Sequence, residues 1–160
     1  MDKWQKYFLD IAHRTAKMSK DPSTKVGAVL VGPDRQIVST GYNGFPRGID
    51  DSDERLNSRE TKYALVVHAE MNSLLNAGRY GIKTGGTTLY VVAHDSTTGQ
   101  CWGGPPCIRC AVEAIQAGVS EIVVPNPDGV PARWLDSLAQ GRAIIEEAGI
   151  KYTECGNFQP

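Results

Sequence analysis

From Trp4 to Met18 one stripe of the chain recurs at helical spacing: Trp4, Phe8, Ile11, Thr15 and Met18. Asp2 stands where a helix cap is needed, and Asp21-Pro22-Ser23-Thr24 breaks the pattern. Trp4, Phe8 and Met18 are therefore expected in the core, and His13, inside the same helix, is expected to be structural. Residues 26–31 and 36–40 read as two strands joined by a Gly32-Pro33-Asp34 turn. The polar, Gly/Pro/Asp-rich stretch 43–60 reads as a long loop, a class often functional in compact domains. Then follow a helix over 68–77, a strand over 87–93 and a loop over 95–106. A helix over 107–117, closed by Gly118, leads to a short strand over 121–124, a helix over 133–148 and a last strand over 150–153.

Strands alternating with helices predict an α/β fold with a largely parallel sheet covered on both faces. The opening hairpin makes one pair antiparallel, so the sheet is mixed. With 160 residues and no linker, repeat or low-complexity tract, the chain is expected to form a single domain over 1–160. No apolar run approaches the length of about 20 residues that a membrane helix needs. The first residues lack the apolar core of a secretory signal, which predicts a cytoplasmic protein. A net charge of −1 argues against nucleic-acid partners, because neutralising phosphates usually requires a basic excess. Four cysteines in a reducing compartment point to ligands or core residues rather than a disulfide scaffold.

Two short motifs carry candidate chemistry: His68-Ala69-Glu70 and Pro106-Cys107-Ile108-Arg109-Cys110. Chance would produce the second only about 0.004 times in a chain of this composition. Cysteines three apart at a helix start share a face, and the positive end of the helix favours thiolates. One imidazole and two thiolates make three zinc ligands with an open fourth position, the pattern of a catalytic rather than a structural site. Glu70, not needed for coordination, is placed to carry protons. The competing readings are a redox Cys-x-x-Cys pair, a structural zinc completed by Cys101 or Cys155, and buried cysteines beside an unrelated histidine.

The two motifs together resemble the zinc-dependent cytidine deaminase superfamily. Within it, the stretches 18–29 and 39–46, His68-Ala69-Glu70-Met71-Asn72 and Ile115-Gln116-Ala117-Gly118-Val119 resemble deoxycytidylate (dCMP) deaminases. The resemblance implies a three-layer α/β/α sandwich on a five-stranded mixed sheet. It implies deamination of dCMP to dUMP with release of ammonia, with one catalytic Zn2+ per chain on His68, Cys107 and Cys110 and with Glu70 as proton carrier. It further implies Val26, Asn43 and Ala69 as substrate contacts and a homohexameric assembly. Gly41, Tyr42 and Gly44 resemble the loop that, in regulated members, binds dCTP or dTTP with Mg2+. The substrate phosphate needs a cation, and Lys25, Arg47 and Arg79 are the candidates.

The chain departs from the family pattern over residues 95–105, where an extension carrying Trp102 separates the strand from the Pro-Cys motif. Trp102 is expected to act as a lid or pocket wall. Other substrates for the same zinc chemistry are a modified dCMP, a free base or a tRNA adenosine. A non-catalytic zinc-stabilised module is the rival from another class, and it leaves Glu70 without a use.

Overall fold

The computed structural model describes all residues from Met1 to Pro160. Helix α1 (Lys3–Ala16) is followed by strands β1 (Thr24–Val31) and β2 (Ile37–Tyr42). Short helices α2 (Asp53–Asn57) and α3 (Arg59–Leu65) lead into α4 (Ala69–Arg79). Strands β3 (Thr88–Asp95) and β4 (Cys101–Trp102), helix α5 (Ile108–Gln116) and strand β5 (Glu121–Val124) come next. A 3₁₀ turn (Ala132–Trp134), helix α6 (Leu135–Glu147) and strand β6 (Lys151–Glu154) complete the order.

The strands form one mixed sheet in the order β2-β1-β3-β5-β6, with β4 added beside β3. The expectation of a largely parallel sheet is corrected here. β1 runs antiparallel to both β2 and β3, and only the β3–β5 and β5–β6 pairs are parallel. The stretch 43–60 is not all loop either, because α2 and the start of α3 lie inside it.

Side-chain alternation along the central strands sorts the core into two layers. Ala28, Leu30, Leu89, Val91, Ile122 and Val124 point to the face covered by α4 and α5. Val29, Val31, Tyr90, Val92 and Val123 point to the other face, where Phe8, Leu9 and Ala12 of α1 meet them. Fully buried side chains such as Leu30, Leu89 and Ile122 each contribute about 1.5–3 kcal/mol relative to exposure. His13 is buried at the α1 layer, as expected, whereas Met18 is 65% exposed and belongs to no core cluster. Its position just past the end of α1 takes it off the helical face that the spacing pattern assumed. No helix is long and apolar enough to cross a membrane.

Two close backbone approaches set the positions of the helices that carry the site. A Cβ at Gly41 would run into the backbone of Ala69 and Ser73, so only glycine lets α4 lie this tightly on β2. Three side-chain hydrogen bonds lock that contact: Asn72 Nδ2 donates to the Tyr42 carbonyl (2.6 Å), Asn76 Nδ2 to that of Thr40 (2.7 Å), and Ser39 Oγ to that of Ser73 (2.6 Å). Gly141 does the same for α6, where a Cβ would strike the Pro106 carbonyl.

Candidate active site

His68 and Cys107 occupy equivalent places in the fold. Each is the residue immediately before a helix, α4 and α5 respectively, with extended backbone and no side-chain cap bond of its own. Both side chains are therefore free to turn toward a shared point. The entry to His68 is fixed by a two-hydrogen-bond bridge between Gly44 and Val67. The entry to Cys107 is held by α6, whose Ser137 Oγ accepts from the Ile108 N–H at 3.2 Å. Cys110 follows one turn into α5 and is almost fully buried.

The donor atoms of His68, Cys107 and Cys110 all lie within 4.8 Å of one another. His68 Nδ1 is 3.4 Å from Cys107 Sγ and 3.3 Å from Cys110 Sγ. Tetrahedral zinc with ordinary bond lengths needs a nitrogen–sulfur separation of about 3.6 Å, so the set fits that ion with little adjustment. Neither Cys101 nor Cys155 joins the group, and all four cysteines are free thiols. The structure thus offers three ligands rather than the closed four of a structural site.

The charges around this set reinforce it. A hydrogen bond from the Cys110 thiol, followed by the contact with His68, holds Cys107 well below the usual thiol range. The same pairing pushes Cys110 up, and the bond to Cys107 raises His68. Glu70 sits in the first turn of α4, 7% exposed, and its burial raises the carboxyl above the ordinary range. Glu70 lines the same cavity as His68 and Cys107 but lies outside the three-donor group.

That cavity opens where β3 ends and α4 and α5 begin. Val26, Asn43 and Ala69 line it. Asn43 is also a structural clasp: its Oδ1 accepts from the Val26 N–H (2.7 Å) and its Nδ2 donates to the Thr24 carbonyl (2.9 Å). Trp102 lines the cavity from β4, where Ala93 and Trp102 are paired across the strands. The extension is therefore a β-hairpin rather than a free loop. Its turn is capped by Asp95 Oδ1, which accepts from the N–H groups of Thr97 and Thr98 at 2.8 Å each. This pairing places Trp102 in the cavity wall, the position from which either a wall or a lid would act.

The cations singled out from the sequence are not in the cavity wall. Lys25 is paired in register with His94, and Arg47 donates to Asn76 Oδ1 (2.5 Å). Arg79 lies in the last turn of α4, at the end opposite His68. Gly41 and Tyr42 belong to β2 rather than a loop, because the strand runs on past Thr40. Tyr42 and Gly44 line a second, smaller cavity that shares Asp21, Lys62 and Val66 with the first. The lining residues that sequence reading missed include Asp21, Lys62, Tyr63, Arg133 and Trp134. Lys62 Nζ pairs with Asp21 Oδ1 at 3.3 Å, both largely buried. The Trp134 ring stands edge-on to His68, centroids 6.3 Å apart.

Comparison with known proteins agrees with this geometry. Residues 2–125 match the model of the cytidine and deoxycytidylate deaminase zinc-binding region. The deoxycytidylate deaminase of Homo sapiens is 36% identical over 154 residues, covering 93% of this chain and 78% of that protein. An uncharacterized deaminase of Aliivibrio fischeri is 34% identical over 154 residues, covering 96% of this chain and 94% of its own. Among solved structures, the dCMP deaminase of cyanophage S-TIM5 in complex with dCMP and dUMP is similar with a TM-score of 0.71. That likeness, at 20% identity over 96% of this chain and 98% of the other, is one of fold.

Proposed function

Since the chain belongs to the cytidine and deoxycytidylate deaminase family, we propose that it hydrolyses dCMP to dUMP and ammonia with Glu70 as its proton carrier. The observation that carries this reading is the placement of a buried carboxyl in the cavity of a three-ligand metal group, yet outside that group. Zinc on His68, Cys107 and Cys110 supplies the Lewis acidity that makes water a nucleophile near neutral pH.

The protein's own groups account for the rest. The base enters with C4 toward His68 and Glu70, in a cavity lined by Val26, Ala69 and the Trp102 and Trp134 rings. Water attacks C4, and the Glu70 carboxylate takes a proton from it and hands it to N3. A second proton from the same water travels by Glu70 to the amino group. The C4–N bond breaks, ammonia leaves, and a C4 carbonyl with N3–H remains. One carboxyl can serve both transfers only if both nitrogens are within its reach, so orientation of the base matters as much as binding. Asn43, aligned by its clasp on β1, offers the remaining acceptor capacity of its Oδ1 to the sugar.

A panel of dCMP, modified dCMP, deoxycytidine, cytosine, guanine and a tRNA adenosine stem-loop, followed by ammonia release, tests the reading. The largest kcat/KM is expected for dCMP; a larger value for any other substrate overturns the assignment. Trp102→Ala is expected to raise KM for dCMP about tenfold with zinc content unchanged, because an aromatic wall against a base is worth about 1–3 kcal/mol. Unchanged kinetics with loss of assembly on a sizing column would give Trp102 a packing role instead.

Two features extend the proposal. A regulatory dCTP or dTTP with Mg2+ binds at the smaller cavity beside Tyr42 and Gly44, supported by its shared wall with the first. The assembly is a homohexamer in the cytoplasm. Activation by dCTP, inhibition by dTTP and a hexameric mass in solution are the outcomes that check these points.

A further inference from the structure

We infer that Arg133 selects the 5′-phosphate of the nucleotide, an inference that rests on the dCMP reading above. Two long-chain cations reach the cavity wall, Lys62 and Arg133. The charge of Lys62 is already neutralised by Asp21, on a largely buried pair. Asp21 itself is fully engaged, accepting also from the N–H groups of Ser23 (2.8 Å) and Thr24 (3.1 Å). The pair therefore offers a phosphate no net attraction.

Arg133 is different. It is exposed at the rim, and its guanidinium makes no ion pair, hydrogen bond or cation–π contact with any residue. Arg47 is engaged with Asn76, Arg55 with the Asp50 carbonyl and Arg142 with Glu146, and the equally unpaired Arg14 and Arg79 lie outside the cavity wall, which Arg133 alone of the arginines lines. Its neighbour on the same 3₁₀ turn, Trp134, stands against the His68 ring. One short turn thus presents an aromatic surface at the metal group and an unpaired cation at the mouth. That is the arrangement a nucleoside monophosphate requires, with base inside and phosphate at the rim. A guanidinium meets a phosphate with two parallel N–H donors, which fixes position as well as supplying charge.

The turn follows the region matched by the family model, which ends at residue 125. Phosphate selection is thereby carried by a segment separate from the one that carries the chemistry.

The test compares kcat/KM for dCMP and deoxycytidine in the wild type, Arg133→Ala, Arg133→Lys and the control Arg79→Ala. Arg133→Ala is expected to lower kcat/KM for dCMP about 10- to 100-fold, mainly through KM, as loss of a charged hydrogen bond does. Deoxycytidine turnover should stay within about twofold, Arg133→Lys should recover part of the loss, and Arg79→Ala should leave the ratio unchanged. If Arg133→Ala slows both substrates equally, or neither, the inference is overturned while the dCMP reading stands. If the wild type shows no preference for dCMP over deoxycytidine, the reading itself fails and the inference with it.

Discussion

Glu70→Gln is expected to bind zinc, fold as the wild type does, and lose roughly 10²–10⁴-fold in kcat for dCMP, the range general acid–base catalysis supplies. Two proton transfers pass through this one carboxyl, and glutamine can accept neither. The change should leave KM nearly untouched, because the group acts on protons rather than on binding. Its effect on stability has the opposite sign. Burial penalises the charged form of Glu70, so an uncharged side chain of the same shape removes that cost. A Tm equal to or above that of the wild type, with zinc at about one per chain and turnover nearly gone, is the expected combination. Turnover close to normal would mean that another group moves the protons.

Cys110→Ala attacks the other half of the site. With one of three ligands gone, zinc content should fall from about one per chain to near zero. Deamination should fall with it by on the order of 10³-fold or more, since metal polarisation is worth several kcal/mol. Cys110 lies nearly out of solvent on α5, packed against Cys107 and Leu138, so the loss is also structural. Zinc bound only to the native state at about a thousandfold above its Kd stabilises by about 4 kcal/mol, roughly 10 °C for a chain of this size. The variant should therefore melt lower than the wild type in zinc, and chelation should remove most of the difference. A melting difference that chelator leaves unchanged would place Cys110 in the core alone.

The chemistry of this site was legible before the structure because ligand identity and spacing are local properties. His68 and Cys107 each open a helix, and a helix start can be read from its own neighbours. Which strand lies beside which is not local. The antiparallel β1–β3 pairing depends on contacts between residues some 65 positions apart, and no pattern within either strand encodes it. The same limit hid the cavity wall. Lys62 faces Asp21 across the fold, and Trp134 stands beside His68 at the start of α6, the helix whose Gly141 packs on the Pro106 carbonyl. Lys25, Arg47 and Arg79 were plausible by charge, yet charge says nothing of direction. Arg133 read as the first residue of a helix, with nothing in its surroundings to mark it as the unpaired cation at the rim. The extension showed its composition but not its partner, because a two-residue strand is too short to carry an alternation of its own.

The most direct measurement is dCMP turnover by the same preparation before chelation, after it, and after zinc is returned. The account predicts that ammonia release disappears with the metal and returns in proportion to zinc bound, saturating at one ion per chain. Sustained conversion of dCMP to dUMP by protein shown to be free of metal would contradict it.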